Sequence, residues 1–510
     1  MDRHGEVERK FDVEPSAVLP DLAGVAAVGE AVESQLDATY FDTADARLAR
    51  HHITLRRRTG GDDAGWHLKL PAGQDERTEV RRPLGRATRT VPVALASEVR
   101  AIVRDRRLVP IAVLHTDRIE RRLLDGDSNT LATIADDTVH GQRLDDGAGQ
   151  ESTWREVEVE LVDGDRVFLE AVSSSLGAAG LTPSQSSSKL ARVLGDLGDS
   201  SQPDQAAGPE GPSRAGSPTA GEVVLGHLRE QVNQLVTRDR GARSDEPDAV
   251  HQMRVATRRL RSSLATFRPF LDRGRTDPVH EELLWLGQVL GGAREAEVLH
   301  WRLRDLVAGQ LDELVLGPVR RRVDLEMGRK HKAALSDLVA TLDGERYLRL
   351  LDALDDLVNN PPLTARAGKP AHRQLPVMVG AAAGRVDRAA QAVADDLTPQ
   401  ARDRALHEVR KSAKRARYAA ETAVPVAGKP ARRLANRMKA LQDVLGEHQD
   451  SVAAQAQLLE LAIGAQQAGE SGFTYALMYP QERVRASDAR HAYETALRRA
   501  STRRTRRWTQ

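Results

Sequence analysis

Two stretches of this chain carry the same chemistry at the same spacing, and a chain built that way must repeat a structural unit. In HQMRVATRRLR (251–261), His251, Arg254, Arg258 and Arg261 stand at offsets 0, 3, 7 and 10; in HEVRKSAKRARY (407–418), His407, Arg410, Lys414 and Arg417 repeat them, 407 − 251 = 156 residues later. At 3.6 residues per turn each set falls along one stripe of a helix. Arg and Lys are good helix formers and a basic stripe is usually a solvated face, so one copy would carry little weight. A second pair of landmarks adds that weight. VLGGAREAEV (289–298) and VLGEHQDSV (444–452) place Gly291 and Gly446 155 residues apart, followed at three and four residues by Arg294-Glu295 and Gln449-Asp450. Whole blocks are therefore duplicated, over about 222–360 and 372–508.

The next constraint is a stretch that cannot fold. Residues 198–221, GDSSQPDQAAGPEGPSRAGSPTAG, lack every aromatic and branched aliphatic side chain and read as a flexible linker. Before it, EVERKFDV, HITLRRRT, GWHLKLP, RTEVRRPL, LHTDRIERRLL, TLATIADDTV and REVEVELV alternate like strands between Gly, Asp and Pro turns; after it come long Ala/Leu/Arg helices. The expected architecture is multidomain: an α+β domain over 1–197, a linker, and an all-α domain over 222–510 made of two duplicated helical bundles. With 510 residues the chain exceeds one ordinary domain, and with no Cys it has neither disulfides nor thiolate chemistry. The charged start, MDRHGEVERK, and the lack of any long apolar run predict a cytoplasmic protein without a membrane span. Net charge is only +1, from 75 basic and 74 acidic residues, so affinity for polyanions must come from how the charges are arranged.

In the N-terminal half the unusual feature is which residues alternate. Glu6, Glu8 and Lys10 share one strand face, as do Arg56 and Arg58, His67 and Lys69, Arg77, Glu79 and Arg81, and Glu156, Glu158 and Glu160. For a single strand the ordinary reading is a solvated face over an apolar core. When nearly every strand has such a face, an antiparallel barrel with a charged lumen becomes the better reading. Carboxylates would hold a hard divalent cation there and a ring of Lys and Arg would hold phosphates. Neither set is stable inside without the other.

That arrangement resembles the CYTH family, the triphosphate tunnel metalloenzymes, over about 3 to 196. The family's Glu-x-Glu-x-Lys stands here as Glu6, Glu8 and Lys10. The resemblance implies that Lys10, Arg56, Arg58, Lys69, Arg118 and Lys189 bind the substrate's phosphates, with Glu6, Glu8, Lys10 and Lys69 at the catalytic centre. It implies that Glu6, Glu8, Asp137, Glu156, Glu158 and Glu160 surround the metal, Mg²⁺ or Mn²⁺. Asp136 competes with Asp137, and which of Arg118, Arg121 and Arg122 face inward is open. The C-terminal landmarks, over about 223 to 508, resemble the CHAD domain, the conserved histidine α-helical domain. Its Leu-Gly-x-x-Arg-Asp-x-Asp-Val signature appears as Leu290, Gly291, Arg294, Glu295, Glu297 and Val298, with Glu twice replacing Asp.

Together these predict a metal-dependent triphosphatase acting on tripolyphosphate or a related triphosphate, with a helical domain binding inorganic polyphosphate. Phosphoanhydride hydrolysis needs positioning and charge neutralisation more than a nucleophile, and the chain has no P-loop. The alternative is a non-catalytic protein of polyphosphate granules; a thiamine triphosphatase or class IV-type adenylate cyclase is a weaker one, since no base-recognition feature is present. Nucleic acid is disfavoured as a partner, because only 3% of residues are aromatic. A homo-oligomer is left open. The tail ALRRASTRRTRRWTQ is either disordered or a nonspecific polyanion arm.

Overall fold

The computed structural model of the chain describes residues 2–73, 75–86, 89–144, 151–195, 217–393 and 398–509. It divides into two compact units, Met1–Pro212 and Ser213–Gln510. Most of the stretch read as a linker, as far as residue 216, lies outside the described residues. From Pro218 on the chain is ordered by local chemistry. The Pro218 carbonyl accepts from the Ala371 N–H, and Thr219 and Glu222 form a reciprocal capping box that starts a helix at Ala220, earlier than the expected boundary.

The first unit contains strands β1 (Asp2–Val13), β2 (Ala27–Val28), β3 (Val32–Asp42), β4 (Thr54–Thr59), β5 (Gly65–Gly73), β6 (Glu76–Arg82), β7 (Val109–Leu124), β8 (Thr130–Arg143), β9 (Glu151–Leu161) and β10 (Thr182–Pro183). Neighbours run antiparallel in the order β1-β6-β5-β4-β3-β7-β8-β9, and β9 pairs back to β1, closing an eight-stranded barrel. The short β2 and β10 pair with β7 and β1. Besides the two-residue β2 and β10, the strand missing from the sequence reading is β3, whose VESQLDATYFD alternates poorly; pairing to β4 on one side and β7 on the other makes it a strand.

The barrel is inverted relative to an ordinary globular core. Short helices α1 (Arg47–Arg50), α2 (Val93–Glu98), α3 (Arg100–Val103) and α5 (Lys189–Leu194), with the longer α4 (Arg166–Ala178), lie outside it. Leu169, Val172 and Leu176 of α4 bury Ile134, Val157 and Val159, while Leu95, Val99 and Val103 cover Leu55, Trp66, Leu68 and Val80. With the apolar faces spent on these outer layers, the period of two turns the charged faces inward.

The second unit is helical: α6 (Ala220–Arg243), α7 (Ala249–Thr266), α8 (Arg273–Ala308), α9 (Val319–Asp343), α10 (Glu345–Asn359), α11 (Ala371–Gln391), α12 (Pro399–Thr422), α13 (Val424–Gln467) and α14 (Phe473–Ala500). Gly428, at φ 56° and ψ −132°, breaks α13 near its start, a conformation that L side chains avoid. The duplicated stripes are α7 and α12, and the Leu-Gly landmarks are on α8 and α13. The two copies do not have separate cores. Leu303, Leu306, Val323 and Met327 of the first pack with Leu458, Leu461, Tyr475 and Met478 of the second. The tail is neither free nor disordered: it forms a short helix, Arg503–Arg506, in which Arg506 pairs with Asp387 of α11 and Thr505 is buried.

Candidate functional site

Inside the barrel, Glu6, Glu8, Lys10, Arg56, Arg58, Lys69, Arg77, Arg81, Arg118, Glu158, Glu160 and Lys189 line a cavity of about 610 Å³. The ladder sets two carboxylates face to face: Glu8 of β1 stands directly opposite Glu160 of β9, an arrangement that repels unless a cation intervenes. The consequence is legible in how these groups titrate. Burial, together with the charges of Glu6, Glu8 and Glu158, pushes the Glu160 carboxyl up to about 7. For Glu8, burial also raises the pKa, but Lys10 and Lys69 outweigh it and pull the group to about 2.

The predicted metal ligands separate into two sets. Asp137 is fully buried and takes Arg118 in a two-pronged pair, Nε–Oδ1 2.8 Å and Nη2–Oδ2 2.7 Å. The Lys189 ammonium lies among Asp137, Glu156 and Glu158 at 2.9, 2.8 and 2.7 Å. A second Glu156 oxygen accepts from the Trp154 indole at 2.6 Å. Asp137 and Glu156, expected around the metal, thus already hold an internal cation. Glu6, Glu8, Glu158 and Glu160 line the cavity, and the charges of the other three crowd Glu160. Among the described residues, ligating atoms converge closely enough for a metal ion at two places: Asp137, Glu156 and Glu158 around Lys189, and His4, Glu6 and Glu79.

The register answers what the sequence left open. Asp136 points away and binds Arg155 at 2.7 and 2.8 Å, so Asp137 is the inward residue. Arg118 and Glu120 line the cavity, which puts Arg121 on the opposite face. Arg56 and Arg58 sit one strand repeat apart. Burial, then the charges of Arg56 and Arg118, depress Arg58 to about 9, as expected of a guanidinium crowded by like charges.

In the helical unit, α7 and α12 flank a cavity of about 800 Å³ lined by Arg254, Arg258 and Arg261 from one and His407, Lys411, Lys414 and Arg415 from the other. Arg258 crosses between the helices to donate to the Tyr418 hydroxyl at 2.8 Å. One of the Leu-Gly landmarks now has a physical reason. A Cβ on Gly446 would come within 3.2 Å of the Arg410 guanidinium, so this glycine seats its arginine against the next helix, whereas one on Gly291 would make only ordinary contact with Arg254 at 3.6 Å. Burial, then Arg410, Arg258 and Arg254, depress Lys414 to about 6. Three stripe members are placed differently, the first being Arg410, which is absent from the lining and donates to Gln449. Arg417 turns to Glu421 and Gln442, and His251 is absent from the lining, held below its ordinary range by burial and Arg294.

Family models match residues 4–193 as a CYTH domain and 226–459 as a CHAD domain. The chain belongs to both families. Two uncharacterised Mycobacterium tuberculosis proteins, from strains CDC 1551 and H37Rv, are 42% identical over 97% of this chain and 96% of theirs. Among solved structures, PptA from Streptomyces chartreusis is similar at 23% identity and a TM-score of 0.45, covering 55% of this chain and all of that one. The CHAD domain from Ricinus communis follows at 25% and 0.43, covering 55% of this chain and 92% of its own. CYTH domains are metal-dependent and include triphosphatases and cyclases, which places the barrel in a class acting on phosphoanhydride bonds. Among the described residues no helix is long and apolar enough to cross a membrane.

Some lining residues were not singled out in the sequence. In the CYTH domain one is Tyr40, which lies on the unread β3, whereas Arg77 and Arg81 of RTEVRR were read as a charged face but given no role. In the CHAD domain they are His280, Arg385, Lys411 and Arg415. Lys411 and Arg415 are one helical turn apart, a second stripe beside the first; His280 and Arg385 come from α8 and α11, and only the packing brings them in.

Proposed function

We propose that the CYTH domain hydrolyses inorganic tripolyphosphate with Mg²⁺ or Mn²⁺ and that the CHAD domain binds polyphosphate. The observation that carries the first part is the Glu8–Glu160 confrontation inside a cation-lined cavity, an acid pair that a bound divalent ion would reconcile. That ion, held by Glu6, Glu8, Glu158 and Glu160, would neutralise charge on the phosphate oxygens. Arg56, Arg58, Arg118 and Lys69 grip the chain, and Lys10 stands by the reacting end, 3.4 Å from Glu8. Water adds its oxygen to the terminal phosphorus, the bridging P–O bond breaks, and orthophosphate, pyrophosphate and a proton result. Arg118 is held by Asp137, and Lys189 by Asp137, Glu156 and Glu158, whose oxygens also converge closely enough to hold a metal ion.

For the CHAD domain, the supporting observation is a lysine pushed to about 6 within a cluster of arginines, a concentration of charge that an extended polyanion would relieve. The test is a phosphate-release panel of tripolyphosphate, ATP, thiamine triphosphate and long-chain polyphosphate, each with Mg²⁺, Mn²⁺ or chelator. Metal-dependent release from tripolyphosphate, with slower release from the others, is expected; equal release with chelator refutes the metal site.

A further inference from the structure

One edge of β1 is covered by two different segments, and they part company in the middle of the site. As far as Glu8 the cover is β6 and its lead-in, the last bond being Glu8 N–H to the Asp75 carbonyl at 3.0 Å. From Lys10 onward it is β10 and the chain after it, with Ser184 N–H donating to the Lys10 carbonyl at 2.9 Å. Outside this junction lies a further cavity of about 690 Å³ that shares Glu8, Lys10 and Arg77 with the tunnel. Its outer walls are the β5–β6 hairpin, α4 and the segment before α5, and they present hydroxyls of Ser173, Ser174, Ser184, Ser186 and Ser187.

Two features suit this cavity to releasing a small anion rather than holding one. Its walls carry serine hydroxyls, of which Ser173 already donates to the Leu169 carbonyl, while the cations beside it are engaged. Arg9 meets Asp75 at 3.1 Å and Glu170 at 2.6 Å, Arg77 meets Glu8 at 3.4 Å and the Ser187 carbonyl, and Lys10 meets Glu158. The cavity also lies at the right end. The tip of the β4–β5 hairpin, Gly61 to Asp63, lines the tunnel near Arg58, whereas the β5–β6 tip borders Glu8, and these tips mark opposite ends of β5. A triphosphate gripped by Arg56 and Arg58 at one end has its reacting phosphorus by Glu8 and Lys10. After cleavage, pyrophosphate stands between the orthophosphate and the arginine end.

We infer that orthophosphate leaves through this junction and the serine-lined cavity outside it, so that substrate entry and product exit use separate routes. The inference rests on the triphosphatase reading above. It is tested by narrowing the cavity from α4, with Ser174→Trp and, separately, Gly177→Phe; a Cβ on Gly177 meets nothing within 4 Å, so the ring has room to enter. Two signals are followed with tripolyphosphate and Mn²⁺: total orthophosphate after acid quench, and free orthophosphate by a binding-protein sensor. Expected is a first-turnover burst in the quenched signal at the native rate, with free orthophosphate and kcat slowed at least tenfold; Ser174→Ala behaves as native. Release that keeps pace with the quenched signal in both bulky variants overturns the exit route. So does loss of the burst itself in both, because that is damage to chemistry. A native protein that forms no orthophosphate in either signal refutes the triphosphatase reading itself, a result that the variants cannot mimic.

Discussion

At the scale of single residues, the informative groups are those whose titration is out of place. Glu160 is raised from 4.5 to about 7 in the folded barrel. Between those values the folded chain keeps a proton that the unfolded chain has released, so this contribution to stability is complete below about pH 4.5 and is lost as pH rises through 7. With chelator present, the melting temperature of the native protein relative to Glu160→Gln should therefore fall from pH 5 to pH 8; a constant difference would show that Glu160 titrates normally. Lys414 shows the opposite case. Its pKa is lowered from 10.5 to about 6, mainly by burial and then by Arg410, Arg258 and Arg254, with Asp450 opposing. Near pH 7.5 the empty CHAD cavity holds Lys414 largely neutral, and a bound polyanion should return its proton. Calorimetry in buffers of different ionisation enthalpy should detect proton uptake on polyphosphate binding, and Lys414→Gln should remove most of it.

At the scale of elements, α5 shows how six residues can position a site on another layer. Ser188 caps the helix and Leu190 and Leu194 anchor it outside the barrel, which directs Lys189 inward to three carboxylates. Lys189→Met would leave those acids uncompensated, at an expected cost of about 3–5 kcal/mol by denaturant unfolding. Added Mn²⁺ should restore part of it if the vacated position accepts a metal. Strand β1 carries the other decisive element. Glu6→Gln with Glu8→Gln should abolish metal-dependent hydrolysis while keeping the fold, and undiminished turnover would remove β1 from the mechanism. Between helices, the two glycines are unequal: the approach at Gly446 is tighter than at Gly291. Gly446→Ala should weaken polyphosphate binding more than Gly291→Ala, with circular dichroism unchanged in both.

At the scale of the whole molecule, the two units should separate without loss of either activity. Residues 1–197 should keep tripolyphosphate hydrolysis, and a piece beginning at 217 should keep polyphosphate binding. Starting at 221 instead removes the Thr219 cap and the Pro218–Ala371 bond, and should cost about 1–2 kcal/mol in thermal or chemical unfolding. If the barrel piece accounts for all polymer binding, the CHAD cavity has another role. The sequence by itself determined which faces are charged and which segments repeat, because side-chain direction follows from a period of two along strands and 3.6 along helices. It was enough to place Glu6, Glu8, Lys10, Arg254 and Arg258. Only the tertiary structure decided that Asp137 and Glu156 hold Lys189, that Asp136 faces Arg155, that Arg417 turns to Glu421, and that one edge of β1 passes from β6 to β10 between Glu8 and Lys10. Those outcomes depend on strand register and on partners from other elements, or on which of several neighbours a helical side chain takes, and no local periodicity records which charge a side chain will meet.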